Sequence, residues 1–110
     1  MTEHVVWFAA SGMEDVARVG GKNASLGEMI RQLAELGIRV PNGFATTAAA
    51  YRDFLRKDGL DDRIHALLDG LDIDDVESLA RVGAEIRALI LATPFPGDLR
   101  QSIEVAWKTL

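Results

Sequence analysis

Two glycines and a lysine, Gly20, Gly21 and Lys22, stand immediately before a segment with the apolar spacing of an amphipathic helix. Glycine permits positive φ angles and lets the backbone come close to a ligand. The first turn of a helix offers unpaired N–H groups and the positive end of the helix dipole. The ammonium group of Lys22 would add a mobile positive charge at the same place. These residue types, in this order, favour binding of a phosphate group.

The motif differs from the better-known phosphate loops. A P-loop requires a glycine six residues before its lysine and a Ser or Thr directly after it, but Val16 and Asn23 occupy these positions. The dinucleotide fingerprint also fails, because Gly20 and Gly21 are adjacent and the next glycine, Gly27, falls inside the predicted helix. Spacing alone therefore leaves open a second interpretation, a tight turn before a helix with a solvated lysine.

The sequence around the motif resembles the N-terminal region of the pyruvate, phosphate dikinase family, which includes the phosphoenolpyruvate synthases and the antibiotic phosphotransferases. The likeness is carried by Gly20–Met29 and by Leu36–Tyr51. Within these segments, Asn23–Met29 and Val40–Thr47 look more like the synthases than the dikinases. The resemblance is clear from about Val6 to Leu55 and is looser beyond that point.

This resemblance implies a fold and a function. Residues 1–110 would form the N-terminal segment of an ATP-grasp, ATP/AMP-binding domain of the α+β class, predominantly α-helical with a few short N-terminal strands. Gly20 and Gly21 would shape the turn and Lys22 would contact the phosphates of ATP, with Mg²⁺ as a further cofactor. The full-length enzyme would convert ATP, pyruvate and water to phosphoenolpyruvate, AMP and phosphate through a phosphohistidine.

Several parts of the family's machinery have no counterpart in this sequence. The Val-Arg-Ser-Ser type segment, the metal-binding carboxylates and the histidine that carries the phosphoryl group are all expected beyond Leu110. We therefore predict no catalytic and no metal-binding residue within residues 1–110, and we expect this chain alone to be inactive. Its partners would be ATP, pyruvate and the remaining lobes of the same polypeptide.

Two alternatives remain open at this point. The first is a related enzyme with another acceptor, either a pyruvate, phosphate dikinase or a rifampin-type antibiotic phosphotransferase. The second belongs to a different class, a helical binding module without catalysis. The sequence beyond Leu110 would distinguish these possibilities.

Composition excludes other classes of function. With 12 basic and 17 acidic residues the net charge is −5, and no cluster of Lys and Arg provides a nucleic-acid footprint. There are no cysteines, which excludes disulfides and is typical of a reducing, cytoplasmic environment. The apolar run Val5–Ala10 is too short to span a membrane and lacks a basic flank, so it predicts a buried strand and no signal peptide.

In the first half of the chain, apolar spacing predicts a helix from about Asn23 to Leu36, ended by Gly37. A short strand at 43–45 should lead into an N-cap at Thr46 or Thr47. The helix that follows is expected to turn three side chains inward, namely Tyr51, Phe54 and Leu55.

The second half is predicted to be helical. Asp61 or Asp62 should cap a short helix that Gly70 ends. Asp74, with Glu77 three residues later, predicts the start of a long helix, which Pro94 and Pro96 interrupt before a last helix. The acidic run in this region does not match the spacing of a calcium loop and is interpreted as helix caps and a solvated turn; its members are Asp69, Asp72, Asp74, Asp75 and Glu77.

Three further side chains have structural rather than catalytic interpretations. His4 and His65 lie far from each other and from any carboxylate at ligand spacing, so neither is predicted to bind metal or to act as a base. Glu28 could approach a magnesium ion bound to phosphate, but it is interpreted as an exposed glutamate of the first helical turn that favours the helix dipole.

Overall fold

The computed structural model describes residues 3–110, which divide into two compact units. One unit is formed by residues 3–52 together with Gly97–Leu110, and the other by Asp53–Pro96. The elements in chain order are β1 (Val5–Trp7), α1 (Val16–Val19), α2 (Gly21–Glu35), β2 (Phe44–Thr46), α3 (Ala48–Arg56), α4 (Leu60–Asp69), α5 (Val76–Ala92) and α6 (Gly97–Thr109). Among residues 3–110, no helix is long and apolar enough to cross a membrane.

The first unit is built on a two-stranded antiparallel sheet in which β1 pairs with β2. Val6 faces Ala45 in the central pair, and both side chains are buried. The predicted strand over Val5–Ala10 is too long, because the chain turns into a 3₁₀ helix at Phe8–Ala10. Phe8 N–H still donates to the carbonyl of Gly43 at 2.9 Å, so the pairing ends one residue beyond the strand.

Helix α2 is longer at its start than predicted but ends as expected. Gly37 has φ +76, and its N–H donates to the carbonyl of Ala34 at 3.0 Å. Ile38 N–H reaches back to the carbonyl of Leu33, also at 3.0 Å. This pair of hydrogen bonds is a Schellman motif, which satisfies carbonyls that the helix leaves unpaired. The predicted C′ glycine is therefore confirmed.

Thr47 provides the cap of α3. Its Oγ1 accepts a hydrogen bond from Ala50 N–H at 3.0 Å and donates one to the carbonyl of Glu3 at 2.6 Å. Of the two threonines considered, the structure selects Thr47, which is 3% exposed. The predicted inward face of α3 is only partly correct, since Phe54 is buried but Tyr51 is 56% exposed.

The second unit contains α4 and α5. Between α3 and α4, Asp58 and Gly59 both adopt the left-handed conformation, with φ of 55 and 70. Gly59 therefore stands at the N-cap of α4, and the predicted Asp61 or Asp62 cap is wrong: both residues lie inside the first turn. Helix α5 is capped by Asp75, whose carboxylate accepts from Ser78 N–H at 3.2 Å, one residue after the predicted Asp74.

The fold class predicted from the sequence is confirmed. Residues 3–110 are predominantly helical, and the two short strands found among them lie in the N-terminal half. In the first unit a small core is formed by four side chains from the sheet and the helices beside it, with Phe8 packed against them; these are Val6, Val19, Ala24 and Ala45. Two of these, Val19 and Ala24, belong to the segment that contains the predicted phosphate motif.

Candidate functional site

The glycine-lysine motif forms a sharp turn between α1 and α2. Gly20 is the one residue that separates the two helices, and it has φ 86 and ψ 163. This region of backbone space is accessible essentially to glycine alone. Gly20 is therefore required for the turn itself, as the sequence predicted.

Gly21 has a different role from its neighbour. It is the first residue of α2 and lies outside the positive-φ region. A Cβ built on Gly21 would meet no atom within 4 Å. The expectation that both glycines shape the turn is thus supported by the geometry for Gly20 but not for Gly21, where the fold would accept a side chain.

The start of α2 presents free hydrogen-bond donors. The first helical hydrogen bond runs from Ala24 N–H to the carbonyl of Gly20, at 3.0 Å. No side chain caps this end of the helix, because the N-cap residue is Gly20. Among residues 3–110, the backbone N–H groups of Gly21, Lys22 and Asn23 have no acceptor. Three donors and the positive end of the helix dipole therefore lie together at one exposed place.

Lys22 is exposed at this turn. Within the part of the chain that the structure describes, its ammonium group makes no ion pair or hydrogen bond. Arg18, one turn earlier in sequence, differs in this respect: its guanidinium contacts Glu3 at 2.9 Å and Asp15 at 3.1 Å. Lys22 is thus the cation of this segment that can pair with an anion without breaking an existing contact.

The turn is exposed but its two sides are anchored. Val19, just before Gly20, is 7% exposed, and Ala24, just after Asn23, is 0% exposed. Both belong to the core cluster with Val6 and Ala45 of the sheet. In addition, the side-chain Nδ2 of Asn23 donates to the carbonyl of Val19 at 2.8 Å. The backbone N–H groups of the turn are therefore held in place, because the residues on both sides of it are packed in the core.

Glu28 does not have the role inferred from the sequence. It lies two turns into α2, half-buried, and Oε2 accepts a hydrogen bond from Met13 N–H at 3.2 Å. Its carboxylate also lies 3.7 Å from Arg31, which bonds Glu14 at 3.1 Å. The interpretation as an exposed first-turn glutamate is wrong, because α2 starts at Gly21 and because the side chain fixes the 3₁₀ turn at Met13–Asp15.

The remaining candidate residues do not assemble into a metal site. Across residues 3–110, no group of three or more His, Asp or Glu side chains is placed to hold a metal ion. His4 is 7% exposed, and its Nε2 lies 3.9 Å from a carboxylate oxygen of Asp98. The sequence did not indicate this pair, because 94 residues separate its members. His65 contacts the backbone carbonyl of Asp61 at 2.7 Å.

Comparison with known proteins places this turn in a family context. The family model described as pyruvate phosphate dikinase, AMP/ATP-binding domain, matches residues 16–110, a range that includes the whole turn. The chain is 62% identical to the phosphoenolpyruvate synthase of Neisseria meningitidis over 107 residues, which are 97% of the chain and 14% of that relative. The synthase of Pseudomonas aeruginosa is 56% identical over 110 residues, which are 100% of the chain and 14% of the relative.

A third relative, the phosphoenolpyruvate synthase of Escherichia coli, is 55% identical over 106 residues, which are 96% of the chain and 13% of its own length. The chain therefore spans about 14% of the length of the curated relatives that it matches. The resemblance noted in the sequence is confirmed by the family match, which extends from Val16 to the last residue. The chain belongs to the family of pyruvate phosphate dikinase AMP/ATP-binding domains.

Proposed function

We propose that residues 1–110 are the N-terminal segment of the ATP-binding, ATP-grasp domain of a phosphoenolpyruvate synthase. The full-length protein would convert ATP, pyruvate and water to phosphoenolpyruvate, AMP and phosphate by way of a phosphohistidine. The three relatives named above, at 62%, 56% and 55% identity, are phosphoenolpyruvate synthases, which supports a synthase over a dikinase or an antibiotic phosphotransferase. The family match to a nucleotide-binding domain argues against a non-catalytic helical module.

One observation carries the assignment of the site. Within residues 3–110, the Lys22 ammonium has no partner, and it stands beside three N–H groups of α2 that have no acceptor, inside the range of the family match. Charge-assisted hydrogen bonds to phosphate oxygens are stronger than neutral ones. Gly20, Gly21 and Lys22 would together hold the phosphates of ATP.

Each residue of the motif has its own part in this proposal. Gly20 sets the backbone angle that exposes the start of α2, and Gly21 leaves room for a phosphate to approach the backbone. Lys22 stabilises the negative charge of the transferring phosphates. Mg²⁺, when bound with ATP, neutralises phosphate charge. Its protein ligands would be supplied by parts of the polypeptide outside residues 1–110.

The test of this proposal is Lys22→Met in the full-length protein, compared with Lys108→Met. Lys108 is an exposed lysine in the last turn of α6 and serves as the matched control. A hydrogen bond to a charged group contributes about 1.5–3 kcal/mol, so loss of Lys22 should reduce ATP-dependent turnover at least about tenfold. AMP release at varied ATP concentration measures the effect. Unchanged ATP kinetics in Lys22→Met would refute the site.

The same proposal predicts that residues 1–110, expressed alone, release no AMP from ATP and pyruvate. Phosphoryl transfer needs a bound metal, an oriented acceptor and charge stabilisation from several sides. The turn supplies one lysine and a helix terminus. Magnesium-dependent turnover by this chain alone would show that it carries a complete active site.

A further inference from the structure

Asn23 makes an unusual hydrogen bond across the turn. In an unbroken helix its backbone N–H would donate to the carbonyl of Val19, four residues earlier. Gly20 interrupts the helix at this point, and the side-chain Nδ2 of Asn23 donates to that carbonyl instead, at 2.8 Å. Thus the side chain of Asn23 replaces the backbone donor of the same residue.

This replacement has two physical effects. It satisfies the carbonyl of Val19, a residue whose side chain belongs to the core, without using a backbone N–H. It also links Val19, the last residue of α1, to Asn23, in the first turn of α2, so that the bond spans Lys22. The three N–H groups of Gly21, Lys22 and Asn23 consequently remain available while the turn stays fixed.

We infer that Asn23 is a positioning residue for the nucleotide, an inference that rests on the function proposed above. It acts through the turn: the side-chain amide occupies the Val19 carbonyl and so keeps the adjacent N–H groups and Lys22 directed at a phosphate. Without this amide, the Val19 carbonyl becomes a competing acceptor. The first turn of α2 then rotates toward α1, and its N–H groups bond to protein instead of phosphate.

The experiment uses four variants of the full-length protein, two at Asn23, a control at Asn42, and Lys22→Met. Asn23→Ala removes the donor, whereas Asn23→Ser keeps one, because a serine hydroxyl can donate to the carbonyl four residues earlier. Ser102 of this chain makes such a bond to the carbonyl of Asp98, at 3.0 Å. The control is Asn42→Ala, which removes another side-chain-to-backbone bond, from Ala9 N–H to Asn42 Oδ1 at 3.3 Å.

Affinity for a non-hydrolysable ATP analogue with Mg²⁺ is measured by calorimetry, and the melting temperature is recorded for each variant. We expect Asn23→Ala to weaken binding about two- to tenfold, the range given by loss of one net hydrogen bond. Asn23→Ser should restore most of the affinity. Asn42→Ala should leave affinity unchanged even if it lowers the melting temperature.

Two results would overturn the inference. The first is that Asn23→Ala lowers the melting temperature but leaves nucleotide affinity unchanged. In that case Asn23 would be a structural cap only. Asn23→Ser could bind as weakly as Asn23→Ala, which would exclude the donor role. Lys22→Met separates this inference from the proposed function. If Lys22→Met also binds the ATP analogue normally, the proposed site itself fails. If only Lys22→Met binds the analogue more weakly, the site stands and Asn23 has no part in it.

Discussion

Gly27 of α2 lies so close to Ser11 that a Cβ built on the glycine would stand 2.3 Å from the Ser11 hydroxyl oxygen. The same Cβ would lie 2.6 Å from the carbonyl oxygen of Ser11 and 2.8 Å from that of Phe8. Ser11 is 1% exposed, and its hydroxyl donates to the Phe8 carbonyl at 3.1 Å. The 3₁₀ turn at Phe8–Ala10 therefore packs directly on the helix, which explains a glycine at a position where glycine usually weakens a helix.

Gly27→Ala should therefore be destabilising. Because two of the clashing atoms belong to the backbone, the turn must move away, at a cost of about 1–3 kcal/mol in the free energy of unfolding. Gly83→Ala in α5 is the control, since its Cβ would meet the flexible end of Arg87 at 3.4 Å. That change should be neutral or stabilising by up to about 1 kcal/mol. Urea unfolding of both variants measures the difference, and equal stability would contradict the packing described here.

The two glycines of the turn between α1 and α2, Gly20 and Gly21, should respond differently to alanine. Gly20→Ala forces an alanine into a conformation reserved for glycine, so we expect a loss of about 1–3 kcal/mol in stability. Gly21→Ala meets no steric or conformational obstacle and should melt at or above the wild-type temperature. If phosphate approaches Gly21, the same variant should bind ATP more weakly. Normal ATP affinity in stable Gly21→Ala would remove Gly21 from the site.

Thr47→Val should destabilise the first unit. The change keeps the shape of the side chain but removes the acceptor for Ala50 N–H and the donor to Glu3, both in a buried position. We expect a loss of about 1–3 kcal/mol, which thermal or urea unfolding would measure. Thr46→Val provides the control, because Thr46 is exposed on β2. An equal loss of stability in both variants would show that the cap is not responsible.

Asp75 should make the second unit sensitive to acid. The hydroxyl and then the N–H of Ser78 bond its carboxylate and lower its pKa. A lowered pKa contributes stability that is present above the unfolded pKa, near 3.9, and is lost as pH falls through the folded value. Asp75→Asn should thus unfold more easily than wild type at neutral pH, with the difference shrinking below about pH 4. Urea unfolding at several pH values tests this, with Asp74→Asn as the control; a difference that does not change with pH would show that the charge of the Asp75 carboxylate makes no contribution.

The sequence was sufficient to predict some local features of this fold and not others. Apolar spacing placed α2, and the glycine after it identified the Schellman end at Gly37. The capping prediction for α5 was off by one residue, because Asp74 and Asp75 are both acidic and only the backbone geometry selects the second. Tyr51 was wrongly assigned to the core for a similar reason: helical periodicity gives a face, but tertiary packing decides which residues at its edge are covered.

The details of the candidate site could be predicted only in part. Gly20, Gly21 and Lys22 were recognisable from their types and order, but the sequence could not show that the turn needs only Gly20. It also gave no signal for the Asn23 side chain, because a bond to the Val19 carbonyl depends on the break between the helices. Glu28 was misassigned for a related reason, since its partner Met13 lies 15 residues away.

The turn between α1 and α2 and the two-stranded sheet share one core. Val19 and Ala24 bracket the turn, and they pack in one cluster with Val6 and Ala45, the central pair of the sheet. A state in which the strands separate also loses the arrangement of the turn, so it cannot hold nucleotide. If ATP binds at the turn as proposed, it must suppress that opening by a factor of one plus the ATP concentration divided by its Kd. The hydrogen exchange of the strand amides would then slow as the turn becomes occupied.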